Sequence, residues 1–139
     1  MKIFVSACLL GENCKYNGGN NYSEKVADFI KGHEVVVLCP EVAGGLPVPR
    51  ASAEIVDGII KTESGQSVDA AFRTGAEKVM TEVLKQKIDL AILQSRSPSC
   101  GVNEIYDGSF SGKKIKGQGI FAKMLIDQGL RVIDVEDIE

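Results

Sequence analysis

The sequence is poor in the residues that mark several common classes of protein. It has no tryptophan, 6% aromatic residues and a single histidine among its 139 residues. That histidine, His33, falls between a predicted helix and a predicted strand, where an exposed side chain is expected, so neither a His-based triad nor a His-rich metal site is available. The first predicted strand is not followed by Gly-x-Gly-x-x-Gly, which excludes the usual dinucleotide-binding fingerprint.

Long apolar runs and an excess of positive charge are also missing. No run approaches the ~18 apolar residues of a membrane span, and residues 1–5 lack the apolar segment of a signal peptide. The net charge of -3 provides no cationic field for nucleic acid. We therefore expect a cytoplasmic protein that binds a small molecule, not a nucleic acid or a membrane. The sequence leaves its oligomeric state open.

Cysteines are few, and none are paired as Cys-x-x-Cys. The four are Cys8, Cys14, Cys39 and Cys100. An ordinary zinc finger and a bacterial ferredoxin both use the closely spaced pair that this sequence lacks. In a reducing compartment, metal ligands, reactive thiols or small buried side chains are more plausible roles for these cysteines than disulfides.

The composition and the apolar pattern predict one α/β domain over residues 1–139. With 44% hydrophobic residues the chain is long enough to bury a sizeable core. We expect a three-layer domain on a mainly parallel, Rossmann-like sheet, with small β-hairpin excursions. Strands are predicted at 2–8, 34–39, 89–94 and 131–135, and helices at 24–31, 69–87 and 120–128. An Asp-Gly pair predicts a hairpin over 54–62, and a second predicts a turn at 107–108.

Three of the predicted strands lead into a cysteine. Cys8 and Cys39 end the first two, and Cys100 follows the third in a polar loop. Because the carboxyl ends of parallel strands lie side by side, these thiols are expected to form one site. Three thiolates on a soft metal leave one coordination position open, as a catalytic site requires. The pattern alone equally allows small buried cysteines or a redox-active Cys100.

Two loops flank these cysteines. Residues 11–21 are rich in glycine and asparagine, so they either cradle a polar or anionic ligand or form an ordinary surface loop. Residues 39–50 contain three prolines and are predicted to be a shaped loop without regular structure. This loop would present Cys39, Glu41 and Arg50 at fixed positions. For Arg50 the pattern favours an ion pair with Glu54.

Three separated motifs resemble the bacterial family known as domain of unknown function 523. They are Ser6-Ala7-Cys8-Leu9-Leu10-Gly11 with Tyr16-Asn17-Gly18-Gly19, then Cys39-Pro40-Glu41-Val42-Ala43-Gly44-Gly45-Leu46-Pro47-Val48-Pro49-Arg50, then Ser97-Pro98-Ser99-Cys100-Gly101 with Tyr106-Asp107-Gly108. Members of that family are thiouracil desulfurases, which carry a 4Fe-4S cluster on three cysteines and remove sulfur from a thiolated pyrimidine without net redox change. The alternative is a non-catalytic iron-sulfur or zinc protein that senses metal or redox state, or a small-molecule-binding protein.

The resemblance implies a metal site and two catalytic residues. It assigns Cys8, Cys39 and Cys100 to the 4Fe-4S cluster, which an aerobically prepared sample can lose. It also implies an acidic residue and a serine near the substrate, which we place at Glu41 and Ser97. Glu41 would activate water, and Ser97 would orient the ring or relay a proton. The structural alternatives are that Glu41 anchors the proline loop and that Ser97 makes a turn.

Other residues of the same motifs complete the predicted site. Ser99, Arg50 and Tyr16 are predicted to bind the substrate. Cys14 has no role in this assignment. As a fourth ligand it would close the cluster and leave no iron open to a substrate.

Overall fold

The computed structural model describes residues 1–138, which form eight strands and four α-helices. The strands are β1 (Lys2–Ser6), β2 (Glu34–Leu38), β3 (Ala53–Val56), β4 (Ile59–Thr62), β5 (Leu90–Leu93), β6 (Glu104–Tyr106), β7 (Lys114–Lys116) and β8 (Val132–Asp134). The helices are α1 (Glu24–Phe29), α2 (Pro40–Ala43), α3 (Asp69–Gln86) and α4 (Ile120–Asp127). No helix in this part of the chain has the length and apolar character to cross a membrane.

The central sheet is parallel and has the strand order β2-β1-β5-β8. In the register of β1, Phe4 lies opposite Val36 of β2 and Ala91 of β5. Every residue of β5 is buried. Strands covered on both faces read as continuous apolar runs, which is why the sequence alone indicated a parallel sheet.

Helices cover both faces of this sheet. On one face α3 and α4 pack against the sheet, and the rings of Phe4 and Phe121 lie 5.4 Å apart between centroids. On the other face Val26 of α1 packs with Ile3 and Val5. The predicted three-layer α/β arrangement is therefore confirmed, as are the two longest predicted helices to within one residue at their ends.

The first strand ends earlier than predicted. Strand β1 stops at Ser6, and Ala7–Leu10 forms a 3₁₀ turn. Pairing with β2 continues to Ser6, whose hydroxyl oxygen accepts a hydrogen bond from the amide of Gln94 at 3.1 Å. Gly11 then closes the turn with a left-handed φ of 93°, a conformation that glycine adopts readily. Cys8 consequently sits on a tight turn just beyond the sheet edge.

The prediction of a loop without regular structure over 39–50 is wrong in part. Residues Pro40–Ala43 form the short helix α2 directly after β2. Proline is favoured in the first helical turn because its missing N–H would have no helical partner there. Helix α2 places Glu41 on a rigid turn at the carboxyl end of β2.

Helix α2 packs on α3 through glycines with no room for a side chain. A Cβ at Gly75 of α3 would lie 1.8 Å from the carbonyl oxygen of Pro40 and 2.8 Å from the amide nitrogen of Gly44. A Cβ at Gly44 would lie 2.0 Å from the carbonyl oxygen of Ala71. The position of α2, and with it Glu41, therefore depends on these glycines.

We expect Gly75→Ala to lower the free energy of unfolding by roughly 2 kcal/mol, because the new methyl group overlaps the backbone of α2. In an unconstrained helix the same change stabilises by about 1 kcal/mol, so even the sign of the effect is informative. Urea unfolding measures it. Thr74→Ala, on the exposed face of the same turn, is the control and should change the free energy by less than about 0.5 kcal/mol. A stabilised Gly75→Ala protein would contradict the close packing.

Two antiparallel hairpins stand apart from the central sheet. Strands β3 and β4 are joined at Asp57 and Gly58, both with positive φ, as the Asp-Gly signal predicted. Strands β6 and β7 pair through a longer connection that begins with the second Asp-Gly pair. His33 lies between α1 and β2 as predicted and is partly exposed, and its Nδ1 lies 3.2 Å from the N-terminal amine.

Candidate functional site

A cavity of about 570 Å³ opens at the carboxyl edge of the parallel sheet. Its walls come from the segments that follow β1, β2 and β5 and from the two hairpins. All four cysteines line it, together with Glu41 and Ser97. Ligands of open α/β sheets bind at this edge. The cavity is therefore the candidate functional site.

All four thiols lie at one cavity, as the positions of the strand ends predicted for Cys8, Cys39 and Cys100. All four are free; Cys8, Cys14 and Cys100 are buried, and Cys39 is half-buried. Cys14 arrives from the loop after the 3₁₀ turn and interacts with the thiols of both Cys8 and Cys39. Within residues 1–138, no three side chains of His, Cys, Asp or Glu surround the position of a single metal ion.

Contacts among the thiols set their acidities. Hydrogen bonding from Cys14 lowers the pKa of Cys8 against the opposing effect of burial. The hydrogen bond with Cys39 lowers the pKa of Cys14. The hydrogen bond with Cys8 and burial both raise it, and together they bring the pKa of Cys14 to about 11. The same contact with Cys14, together with burial, raises the pKa of Cys39. A metal that binds thiolates here must displace protons from most of these thiols.

Cys100 is held in a buried pocket of hydroxyl groups. Burial raises the pKa of its thiol to about 12, although hydrogen bonds from Ser6 and Ser99 oppose this effect. The hydroxyl of Ser99 donates to the sulfur of Cys100 at 3.6 Å. The backbone amide of Cys100 donates to Oγ of Ser97 at 3.2 Å. The Ser97-Pro98-Ser99 segment thus fixes the orientation of Cys100.

Glu41 is the centre of a hydrogen-bond network beside the thiols. Its Oε1 accepts from Nη2 of Arg50 at 3.1 Å. Its Oε2 accepts from the hydroxyls of Ser97 at 3.3 Å and Ser99 at 3.1 Å. The structure therefore brings together four of the five residues predicted around the substrate, from two separate motifs; Tyr16 is not part of this network. A carboxylate held in this way has a fixed orientation and can exchange protons with either hydroxyl.

Arg50 pairs with Glu41, so the predicted ion pair with Glu54 is wrong. Its side chain is 7% exposed, and it also donates to the carbonyl oxygens of Pro47 at 3.0 Å and Cys14 at 2.9 Å. The backbone amide of Arg50 donates to the carbonyl oxygen of Tyr16 at 2.6 Å. Arg50 thereby joins the proline loop, the loop that carries Cys14 and the carboxylate of Glu41.

We expect Arg50→Met to lower the free energy of unfolding by roughly 3 kcal/mol, because it leaves the carboxylate of Glu41 without its positive partner in a largely buried position. Urea unfolding provides the measurement. The control is Arg73→Met, which removes the more exposed ion pair between Arg73 and Asp69. It should lower the free energy of unfolding by less than about 1 kcal/mol. Equal losses in the two variants would show that Arg50 makes no special contribution.

The predicted substrate-binding residues lie at different depths. Tyr16 lines the cavity and is 45% exposed. Ser99 is fully buried and, like Arg50, lies behind the wall, where both contact Glu41. His33 lies outside the wall, as expected for a residue without a role in the site.

Among the cavity residues that the sequence did not identify are Asn21 and Phe110. Asn21 donates to the sulfur of Cys8 at 3.6 Å, so the loop of residues 11–21 is part of the cavity wall and not only a surface loop. Its asparagines indicated polar contacts, but not which of them faces a thiol. Phe110 lines the cavity from the β6–β7 connection. The Asp-Gly pair shortly before it signalled a turn, but nothing in the sequence pointed that turn toward the cysteines.

Comparison with known proteins agrees with this geometry. The chain is 40% identical to a solved structure described as the [4Fe-4S]-dependent thiouracil desulfidase TudS, with a TM-score of 0.92 over 99% of this chain and 92% of that one. It is also 39% identical to the uncharacterised protein YbbK of Bacillus subtilis, over 98% of this chain and 97% of that protein.

The family comparison covers the same three motifs that carried the resemblance in the sequence. Residues 3–137 match the model of the family described as 2-thiouracil desulfurase. That span includes every cysteine and the whole wall of the cavity. With a match over nearly its full length, this chain belongs to the 2-thiouracil desulfurase family.

Proposed function

We propose that this protein removes sulfur from a thiolated pyrimidine such as 2-thiouracil, with a 4Fe-4S cluster bound by Cys8, Cys39 and Cys100. The observation that carries the proposal is that thiols from three strand ends share one cavity with the carboxylate of Glu41 and the hydroxyl of Ser97, which is hydrogen-bonded to that carboxylate. The family match and the likeness to a [4Fe-4S]-dependent thiouracil desulfidase support the same activity.

The residues present fit such a cluster. Thiolates are the usual ligands of iron-sulfur clusters, and the donors on this cavity include four free thiols. When bound by three thiolates, the cluster supplies an iron without a protein ligand, a Lewis acid for the thiocarbonyl sulfur. Asn21 and Ser99 donate hydrogen bonds to the sulfurs of Cys8 and Cys100, contacts that also tune such clusters.

Glu41 is the proposed general base. The reaction exchanges sulfur for oxygen: water adds to the thiocarbonyl carbon, the carbon–sulfur bond breaks, and sulfide leaves without a change of oxidation state. In that scheme Glu41 takes a proton from the attacking water. The Ser97 hydroxyl contacts the same carboxylate oxygen, so it orients the water or the ring and passes the proton on.

Arg50 and Ser99 act on this base from behind the wall in our proposal. Their contacts with the two oxygens of Glu41 hold the carboxylate in one orientation. Tyr16, on the open side of the cavity, is left to contact the substrate directly. Cys14 stays outside the proposed ligand set although it lies between Cys8 and Cys39.

We further propose that the protein acts in the bacterial cytoplasm as a single domain over residues 1–139 and on a small molecule. The net charge of -3 gives nucleic acid or an anionic membrane little to bind. The relative from Bacillus subtilis, matched over nearly its whole length, supports a bacterial origin.

The direct test is anaerobic reconstitution with iron and sulfide, followed by incubation with 2-thiouracil. We expect visible absorbance from an iron-sulfur cluster, formation of uracil and release of sulfide. A bound cluster without turnover would favour the non-catalytic iron-sulfur alternative. Preferential binding of zinc, with no uracil formed, would favour the metal sensor.

A further inference from the structure

Two residues on the cavity wall have a backbone conformation that side chains disfavour. Within residues 1–138, non-glycine residues with positive φ are Asp57, Lys87, Arg96 and Phe110. Asp57 lies in a two-residue hairpin turn and Lys87 at the end of α3, where left-handed residues are usual. Arg96 and Phe110, at φ 64° and 56°, lie neither in a two-residue turn nor at a helix end, and both line the cavity.

The two residues differ in what holds their side chains. The guanidinium of Arg96 forms an ion pair with the carboxylate of Glu136. Phe110 carries only an apolar ring, which is half-buried at the cavity. A bulky residue stays in the left-handed region only where its surroundings enforce it, and such enforced positions cluster at functional sites.

Glu54 of β3 enforces the conformation of Phe110. Its Oε1 accepts hydrogen bonds from the backbone amides of Gly108 at 3.0 Å and Phe110 at 3.2 Å. The turn also lies directly on β3, because a Cβ at Gly108 would be 2.6 Å from the carbonyl oxygen of Ile55. One carboxylate therefore fixes the β6–β7 turn against the other hairpin and sets where the ring of Phe110 points.

We infer that Phe110 is a substrate-binding residue whose ring stacks on the pyrimidine ring, and that Glu54 is the positioning residue that holds it there. The inference rests on the proposed function and adds a specificity element to it. A pyrimidine offers a flat π face to an aromatic side chain. Loss of such stacking, when the aromatic residue is replaced by alanine, weakens binding by roughly 5- to 150-fold. In the proposed function Glu41 and Ser97 serve the thiocarbonyl, so the flat face of the pyrimidine ring is left to another group.

The test compares reconstituted wild-type protein with Phe110→Ala, Phe110→Gly and Phe110→Tyr. We expect alanine and glycine to raise KM for 2-thiouracil by roughly 10-fold or more while kcat changes less than about 3-fold, and tyrosine to restore the wild-type KM. Glycine should also raise the unfolding temperature relative to alanine, because it adopts positive φ without strain. Phe29→Ala, a half-exposed ring outside the cavity, is the control and should leave KM unchanged.

Calorimetric binding of uracil to the same proteins separates this inference from the proposed function. If wild type binds uracil without desulfurating 2-thiouracil, the proposed activity fails, and a weaker affinity in Phe110→Ala still supports the stacking. An unchanged affinity and KM in both Phe110→Ala and Phe110→Gly overturn it. A wild-type protein that binds neither uracil nor 2-thiouracil overturns both proposals.

Glu54 has its own readout. Glu54→Ala should raise KM about as much as Phe110→Ala, whereas Glu54→Gln keeps an oxygen acceptor for both amides and should stay near wild type. In the double variant Glu54→Ala/Phe110→Ala, KM should rise no further than in Phe110→Ala, since a residue that acts only through the ring has nothing left to position. Additive increases in KM would overturn the positioning role.

Discussion

Cys100→Ala is expected to abolish both the iron content and the desulfuration activity. On the proposed assignment it removes one of three protein ligands, and two thiolates do not retain a cluster well. The fold should survive, because a buried cysteine behaves as a small hydrophobic residue and alanine leaves little empty space. Iron and acid-labile sulfide per chain, measured after anaerobic reconstitution, give the result together with the rate of uracil formation. The thermal unfolding of the cluster-free chains checks that the variant is folded.

Cys14→Ser is the matched control. It removes a thiol from the same cavity and should leave iron content and turnover near wild type. The structure makes this control demanding, because Cys14 lies against Cys8 and Cys39 and is as buried as Cys8. If Cys14→Ser loses iron and Cys100→Ala retains it, the ligand set is Cys8, Cys14 and Cys39. Loss of iron in both variants would indicate four protein ligands and no open iron, which favours the non-catalytic alternative.

The sequence predicts the framework of this site well because apolar runs are a strong signal. Strand β5 is buried on both faces and reads as an uninterrupted apolar segment, so the end of the strand, and the cysteine after it, can be placed. The Asp-Gly pair at Asp57 specifies a hairpin through the backbone conformations that it tolerates. These are local effects that need no knowledge of distant contacts.

The early end of β1 and the short helix α2 are errors of local element bounds, whereas the wrong pairing of Arg50 concerns long-range contacts. Arg50 was expected to pair with Glu54, four residues away, but the path of the proline loop turns it toward Glu41 instead. Glu54 is thereby free to accept the amides of a turn more than fifty residues further along the chain. Nothing in the local sequence distinguishes these pairings, because each depends on how α2 packs on α3 and how the two hairpins meet.

The position of Cys14 shows the same limit. Its spacing from Cys8 matches no metal motif, and a loop rich in glycine and asparagine has no periodicity from which to place a thiol. In the folded chain that loop crosses the sheet edge and inserts Cys14 between the other cysteines. A pattern can place residues that follow strands, whereas residues on irregular loops need the tertiary structure.

Glu41→Gln is expected to keep the cluster and lower kcat by ~10²-fold or more, because an amide cannot take the proton from water. Glutamine has the size of glutamate, so its oxygen can still accept from Arg50 and its nitrogen can donate to the hydroxyls of Ser97 and Ser99. Iron content should match wild type, since these contacts reach a proposed ligand, Cys100, only through Ser97 and Ser99, which glutamine can still hydrogen-bond. The measurement is iron per chain together with the rate of uracil formation under anaerobic conditions.

Glu63→Gln is the control for charge, because its exposed carboxylate lines the same cavity and the change removes the same negative charge. We expect its kcat to stay within about 3-fold of wild type, as for a residue that takes no part in proton transfer. If both variants lose activity equally, the charge of the cavity matters and not a base at Glu41. A fully active Glu41→Gln would leave Glu41 with the alternative role of anchoring Arg50 and the serine loop, and Ser97, which contacts the same carboxylate oxygen, would become the next candidate for proton transfer.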